Sequence, residues 1–476
     1  MTTRDPVSPP NRNIDSAPNP RTERGTGLFG AYWRWHFYAS VLVIPILGML
    51  AITGLIYLLR FQIEPLLHRD LMVLSQPAGM PRPVPLSAQQ DAVATAYPTA
   101  TIRTVTEPGG PDRSTSFSVE LPDGAGRDVF VDPWSGRVLG DLDPDSTLSG
   151  LAIRVHSELL AGRWGDHLIE LGACWAIVLT VTGYLLFWRG RRARRTRLAR
   201  RVRSALLRNR HAWVGAIVGG GILLLILTGL PWTGIWGERV QQLATDRGTS
   251  LWSEDHGALS DPASTLDESL PHSHRAEIPW GAGKSEVPTS AATSDGAVAN
   301  LDTAVTVAVR AGVTGPMTVA LPTTDEGVYS VIGYAFNDPG QERTIHVDRY
   351  SGQVVSEYGY GDYPTPAKVV AQGIAVHEGR RFGVLNFWLT FAFCLSVIFL
   401  CVSGPLMWWR RRPARSGLAA PRGRLPIATT WWIAAAVVAL AVLLPLFGAS
   451  LLVVLLVDRF LIRRIAPLRR WFNVSP

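Results

Sequence analysis

Four of the ten histidines recur in register with other residues, and imidazole is the side chain most often used to hold haem iron. His36 and His211 are 175 positions apart, as are the steps Thr53-Gly54 and Thr228-Gly229. His156 and His377 are 221 positions apart, as are Gly183 and Gly404, and Trp188-Arg189 and Trp409-Arg410. The first two histidines stand at the arginine-rich ends of apolar runs. The other two precede later apolar runs by about ten residues, His156 on the short amphipathic stretch Leu148–Leu160 and His377 directly after Ala367–Val376. By symmetry His36 should face His211 and His156 should face His377. Helices that face one another across a bundle can hold a cofactor between them, so the expectation is two b-type haems, one near each leaflet. A lone histidine at a helix end is ordinarily a snorkelling polar residue; four at duplicated positions favour the ligand reading. His68 and His167 have no counterpart, since Leu243 and Trp388 stand at the matching offsets. His167 is the weaker candidate ligand. It shares a helical face with Glu170 and Cys174, and Glu170 is either an outer hydrogen-bond partner of a ligating histidine or a hydrated group near the surface.

The elements that must position these side chains are membrane helices. Of 476 residues, 47% are hydrophobic and 18% charged, with 17 Trp. The net charge of +8 is almost all arginine, because Lys284 and Lys368 are the only lysines. It gathers at the ends of apolar runs, the pattern of membrane topology and not of a nucleic-acid surface. Residues 1–25 read as a disordered cytoplasmic tail. Spans are expected within 30–60, 147–189 (with an interfacial helix), 211–236 and 367–410 (again with an interfacial helix). Residues 190–210 form an Arg-rich cytoplasmic loop. A C-terminal hairpin over 427–462 is interrupted near Pro445, giving about six spans. The arginines place both chain termini in the cytoplasm.

Two segments, 61–146 and 237–366, then lie outside, the second with a Ser/Ala/Gly/Pro-rich mobile insertion at 249–300. Each has a helical stretch followed by alternating strands. Each closes a strand pair with matched turn chemistry, VDPWSGRV at 131–138 and VDRYSGQV at 347–354. There Asp opens the turn and Gly supplies positive φ. The fold class is therefore an α-helical membrane protein with two extracytoplasmic α+β domains, built as a tandem helix–domain–helix repeat. The Thr-Gly and Ser-Gly steps read as sites of close helix packing, with room for a porphyrin face. Cys174, Cys394 and Cys401 fall in apolar runs and read as buried small hydrophobes. No GxGxxG after a strand, GxxxxGK[ST], HExxH or GxSxG occurs.

Together these motifs resemble the PepSY-associated transmembrane proteins of bacteria, also called iron-regulated membrane proteins. The resemblance rests on Trp35-His36 through Thr53-Gly54, the two VD turns, and His156 through GRWGDHLIELGACWAIVLTVTGYLLFW. AVHEGRRFGVLNFW with SGPLMWWRRRP completes it. It implies two external PepSY domains on a helical unit in the bacterial inner membrane. In relatives acting as ferric-siderophore reductases, it also implies haem on His36, His156, His211 and His377. The function expected is electron transfer across the membrane to a ferric siderophore or similar iron chelate. Quinol or a separate cytoplasmic reductase would be the donor, lipid the surroundings, and nucleic acid no partner. The alternatives are a PepSY module that binds a protease or peptide, and a chelate transporter.

Overall fold

The computed structural model describes residues 20–75, 79, 82–200, 204–246, 287–290, 299–333, 337–412, 417–418 and 431–473. Most of 249–300, with its expected insertion, and most of the N-terminal tail lie outside the described residues.

The chain opens on α1 (Pro20–Leu58), which begins inside the stretch expected to be disordered, and continues through the short helices α2 (Arg60–Leu67) and α3 (Arg69–Met72). Next come α4 (Leu86–Ala96) and strands β1 (Thr101–Thr106), β2 (Thr115–Glu120), β3 (Gly126–Val131) and β4 (Val138–Leu142). A helical pair follows, α5 (Leu148–Glu158) and α6 (Arg163–Arg189), then the Arg-rich α7 (Arg191–Ala199). The second half has α8 (Ala205–Gly229), α9 (Trp236–Asp246), α10 (Leu301–Arg310), and β5 (Met317–Ala320), β6 (Val328–Gly333), β7 (Arg343–Asp348) and β8 (Val354–Gly359). It ends in α11 (Thr365–His377) and α12 (Val384–Trp409), followed by α13 (Trp431–Leu443), α14 (Pro445–Val457) and α15 (Ala466–Phe472).

Among the described residues, five helices are long and apolar enough to cross a membrane: Leu28–Leu58 within α1, α6, α8, α12, and Pro445–Ile462. Their flanks, including Trp33, Trp188, Trp213 and Trp409, expose large aromatic surface as a lipid interface demands. The third span differs from the expected 211–236. Its helix runs from Ala205 to Gly229, passes into a tight turn at Leu230–Trp232, and a separate helix starts at Trp236. Pro231 has no N–H to continue the ladder. His211 therefore lies six residues inside α8 and not at its start. The C-terminal stretch folds back at Leu444 into two helices of 13 residues each. The first is about 20 Å long, short of a core about 30 Å thick, whereas the second continues through a π-helical stretch at Asp458–Ile462 into the 18-residue candidate span. The fold-back is tight: a Cβ on Gly448 would lie 3.3 Å from Ala441 Cβ. The tip is seated by Trp175, whose Nε1–H donates to Ser450 Oγ at 3.0 Å and whose ring packs edge-on against Phe447.

The two expected external domains are joined. All eight strands form one antiparallel sheet in the order β4-β3-β2-β1-β5-β6-β7-β8. The seam is β1 against β5, with Thr104, Val105 and Thr106 opposite Ala320, Val319 and Thr318. Alternation along the strands sends Val105, Phe117, Val129, Val319, Val331 and Ile345 to one face, where they form a single core with α4 and α10. Thr106, Ser116, Asp128 and Thr318 fall on the other face, toward α2. The β3–β4 and β7–β8 pairs carry matching irregularities, at Phe130/Val131 and His346/Val347. Both VD turns behave as their sequences imply. Asp132 accepts from Trp134 N and Asp348 from Tyr350 N, each at 2.9 Å, with Gly136 and Gly352 at φ of 70° and 67°.

Candidate functional site

The site is the core of the helix bundle, where α1 packs on α6, α12 and α5, and α8 packs on α6, α12 and α11. Each recurrent histidine is held by a hydroxyl–glycine step of another helix. His36, on α1, reaches α6, where its Nδ1 lies 3.0 Å from Leu179 O and 3.3 Å from Thr182 Oγ1. His156, on α5, reaches α1, with Nδ1 2.9 Å from Thr53 Oγ1. His211, on α8, reaches α12, with Nδ1 2.7 Å from Ser403 Oγ. His377, at the end of α11, reaches α8, with Nδ1 3.0 Å from Thr228 Oγ1.

The glycine beside each hydroxyl admits the ring. A Cβ at Gly183 would stand 3.2 Å from His36 Cε1, at Gly54 3.3 Å from His156 Cε1, and at Gly229 3.5 Å from His377 Cε1. At Gly404 the gap to His211 Cε1 is 3.8 Å. These steps do serve close packing, but what they admit is the imidazole edge. All four rings are half-buried and hydrogen-bond through Nδ1, which leaves Nε2 as the nitrogen available to a ligand.

The histidines meet in two sets. His156 and His377 have ring centroids 6.5 Å apart with planes at 83°. His36 and His211 are near enough for their charges to interact. Along α1, His36 and Thr53 are seventeen residues apart, as are His211 and Thr228 along α8. At about 1.5 Å per residue, the sets lie roughly 25 Å apart along the bundle. The set at His156 and His377 is on the sheet side. The other is on the arginine side, where Arg189 lies over the Tyr32 ring and Arg411 over Trp33.

The turn that delivers each sheet-side histidine is similarly built. Gly162 and Gly383 precede α6 and α12 with φ of 54° and 56° and ψ of −140° and −136°, a region that a β-carbon disfavours. Thr147 caps α5 by accepting from Gly150 N.

The chain's match to known families covers this whole assembly: a model of the PepSY-associated TM region fits residues 33–411. The chain belongs to the PepSY-associated transmembrane family. No curated protein sequence matches it.

His167 and Glu170 stand apart from the histidine sets of this PepSY-associated bundle. Glu170 is fully buried and accepts from Ile235 N and Trp236 N at 3.1 and 3.3 Å, and neighbouring Asp166 accepts from Gly234 N at 2.7 Å. These carboxylates therefore hold the loop that starts α9, and Glu170 bonds no histidine among the described residues. His167 packs edge-on against Trp164. No group of three or more His, Cys, Asp or Glu is arranged to hold a bare metal ion among the described residues. Cys174 and Cys394 are buried and Cys401 is half-buried, all three as free thiols.

A second feature was missed at the sequence level. Between the polar sheet face and α2 lies a cavity of about 640 Å³ lined by Arg60, Glu64, Glu107, Asp112, Arg113 and Asp128, among others. Thr318, from the second half, also lines it. Arg60 opens α2, and its guanidinium lies 3.9 Å from the Tyr57 ring centre. Glu64 Oε1 accepts from Ser149 N and Oγ at 2.6 and 2.7 Å, which ties the cavity to the start of the helix carrying His156. Burial pushes the Glu107 carboxyl up from its ordinary value, against a hydrogen bond from Met317 N. No sequence motif marks this cavity, because its lining converges from α2, three strands of the first half and the β1–β5 seam.

Proposed function

We propose that this PepSY-associated protein is a haem-bearing electron carrier of the inner membrane that reduces a ferric siderophore or similar chelate on its sheet side. The observation that carries the reading is the pairing of four hydroxyl-anchored imidazoles in two sets at different depths. The spacing of His156 and His377 supports one metal held by both rings. Their rings are 6.5 Å apart. In this reading His36 and His211 hold one haem and His156 and His377 the other. Bound there, haem supplies reversible one-electron Fe(III)/Fe(II) chemistry.

Each ligand set draws one histidine from either half of the chain, which supports a tandem duplication. The orientation that supports outward transfer follows from arginine: α7 and the ends of α12 and α15 are basic and belong in the cytoplasm. With haem held there, the His36–His211 set would be the one to take electrons from a reduced cytoplasmic carrier, or two from each quinol with release of two protons, and the His156–His377 set the one to pass them singly to two ferric centres. The cavity adjoining α1 and α5 is the natural seat for the acceptor. Four carboxylates face two guanidiniums in its lining, so an acceptor with positive charge is favoured over an anionic one. Oxygen ligands that suit hard Fe(III) hold Fe(II) weakly, so reduction frees the iron.

Purified protein from cells supplied with haem should show a haem absorption band that sharpens on dithionite and returns on adding a ferric trihydroxamate carrying a free amine. Colourless protein, or a reduced band that no ferric chelate reoxidises, contradicts the reading.

A further inference from the structure

We infer that Thr228, Thr53, Thr182 and Ser403 are positioning residues whose hydroxyls hold the recurrent histidines as Nδ1–H tautomers, with the lone pair on Nε2. The inference takes the ligand's identity from the haem reading, but the hydrogen bonding stands without it.

The argument is proton accounting. A threonine hydroxyl has one proton. Thr228 Oγ1 donates it to Leu224 O at 3.0 Å, so toward His377 Nδ1 it acts as an acceptor, and Nδ1 carries the hydrogen. Thr53 Oγ1 likewise donates to Met49 O at 2.9 Å and accepts from His156. Thr182 Oγ1 donates to Val178 O at 2.7 Å. His36 is fixed twice, because Leu179 O beside its Nδ1 is a carbonyl and can only accept. The reverse tautomer would turn each hydroxyl away from its own carbonyl and lose one hydrogen bond, and at His36 it would set two lone pairs against each other. Ser403 is the loosest of the four, since its bond to Leu400 O is 3.4 Å long.

The arrangement is reciprocal. Within each half, the first spanning helix offers a histidine to the second and a hydroxyl–glycine step to the histidine preceding the second. Ligand partners come from opposite halves, whereas each anchor comes from the same half as its histidine. The arginine-side pair thus depends on all four long helices, and the sheet-side pair on α1 and α8 with the short helices α5 and α11. Such outer hydrogen bonds orient a ligand and raise its basicity, and their loss typically costs about 10- to 100-fold in affinity.

The test uses full-length protein in nanodiscs, prepared without haem and labelled with ¹⁵N-histidine. The ring ¹⁵N shifts should report protonated Nδ1 and bare Nε2 for His36, His156 and His377. Thr228→Val, which keeps the side-chain shape, should move His377 to a tautomer mixture and lower haem affinity at that set by about 10- to 100-fold. Thr228→Ser should restore both. Thr182→Val should do less, because Leu179 O still accepts from His36. Bare Nδ1 in the parent, or unchanged His377 shifts in Thr228→Val, overturns the inference. If the tautomers are as stated yet no variant or parent binds haem, the haem reading falls and the positioning roles stand.

Discussion

The sheet-side and arginine-side histidine sets use one anchoring device in two mechanical settings. His156 and His377 ride on short helices, α5 and α11, that follow the last strand of each half, and each is turned back by a left-handed glycine before the next long helix. Their anchors are both threonines. His36 and His211 sit within long helices, anchored by a threonine with a carbonyl in one case and by a serine in the other. Glycine approach is nearly even on the sheet side, at 3.3 and 3.5 Å, and uneven on the arginine side, at 3.2 and 3.8 Å. The sheet-side set is thus carried by helices that leave the sheet, and the arginine-side set by helices of the bundle.

The strongest way to break this comparison is to remove one set. His156→Ala with His377→Ala should drop haem content from two per chain to one and leave the arginine-side haem's spectrum intact, and His36→Ala with His211→Ala should do the converse. Loss of both haems from either double variant would mean that the sets are one site. The next largest effect comes from filling the glycine gaps. Gly183→Ala places a methyl 3.2 Å from His36 Cε1 and should broaden or lose the arginine-side signal, whereas Gly404→Ala, at 3.8 Å, should be tolerated. Equal effects from the two would remove the asymmetry claimed here.

A smaller effect separates the sets by pH. Glu342, at the foot of β7, is buried near Arg380, just beyond His377. Burial pushes its carboxyl up from 4.5 to about 7, with Arg380 opposing. A carboxyl raised in the folded state contributes stability that is complete below pH 4.5 and lost as pH rises through about 7. The thermal stability of the sheet domain should therefore fall over that window and fall less steeply in Glu342→Gln, while amide protection factors around His36 stay constant. A pH slope unchanged in Glu342→Gln would assign it elsewhere. The smallest effect is Ser450→Ala, which deletes the bond from Trp175 and should cost about 1 kcal/mol, read as faster exchange at the α13–α14 tip with both haems retained.

Much of this was legible in the sequence because the chemistry is repeated. The offsets of 175 and 221 positions mark the histidines and their hydroxyl–glycine anchors alike. The same offsets carry Thr53, Thr182, Thr228 and Ser403 along with the histidines, but spacing alone speaks of close packing and room for a porphyrin face and not of hydroxyls bonded to imidazole. The VD turns were legible because Asp capping and positive φ at Gly are local requirements. The seam between β1 and β5 was not, since Thr104–Thr106 and Thr318–Ala320 carry no mark of being partners rather than edges. Nor was the role of Glu170: spacing placed it on a buried face, but only the fold brings Ile235 N and Trp236 N to its carboxylate. The third span was placed too late because apolar composition runs past Gly229, and only the missing N–H of Pro231 ends the helix.

The central claim is that iron sits between paired imidazoles, and the most direct measurement is a reductive titration of the purified protein followed optically and by low-temperature electron paramagnetic resonance. Two low-spin bis-imidazole haem signals should appear, with His377→Ala abolishing one and His211→Ala the other. Protein without low-spin haem signals, or signals unaffected by either substitution, would contradict it.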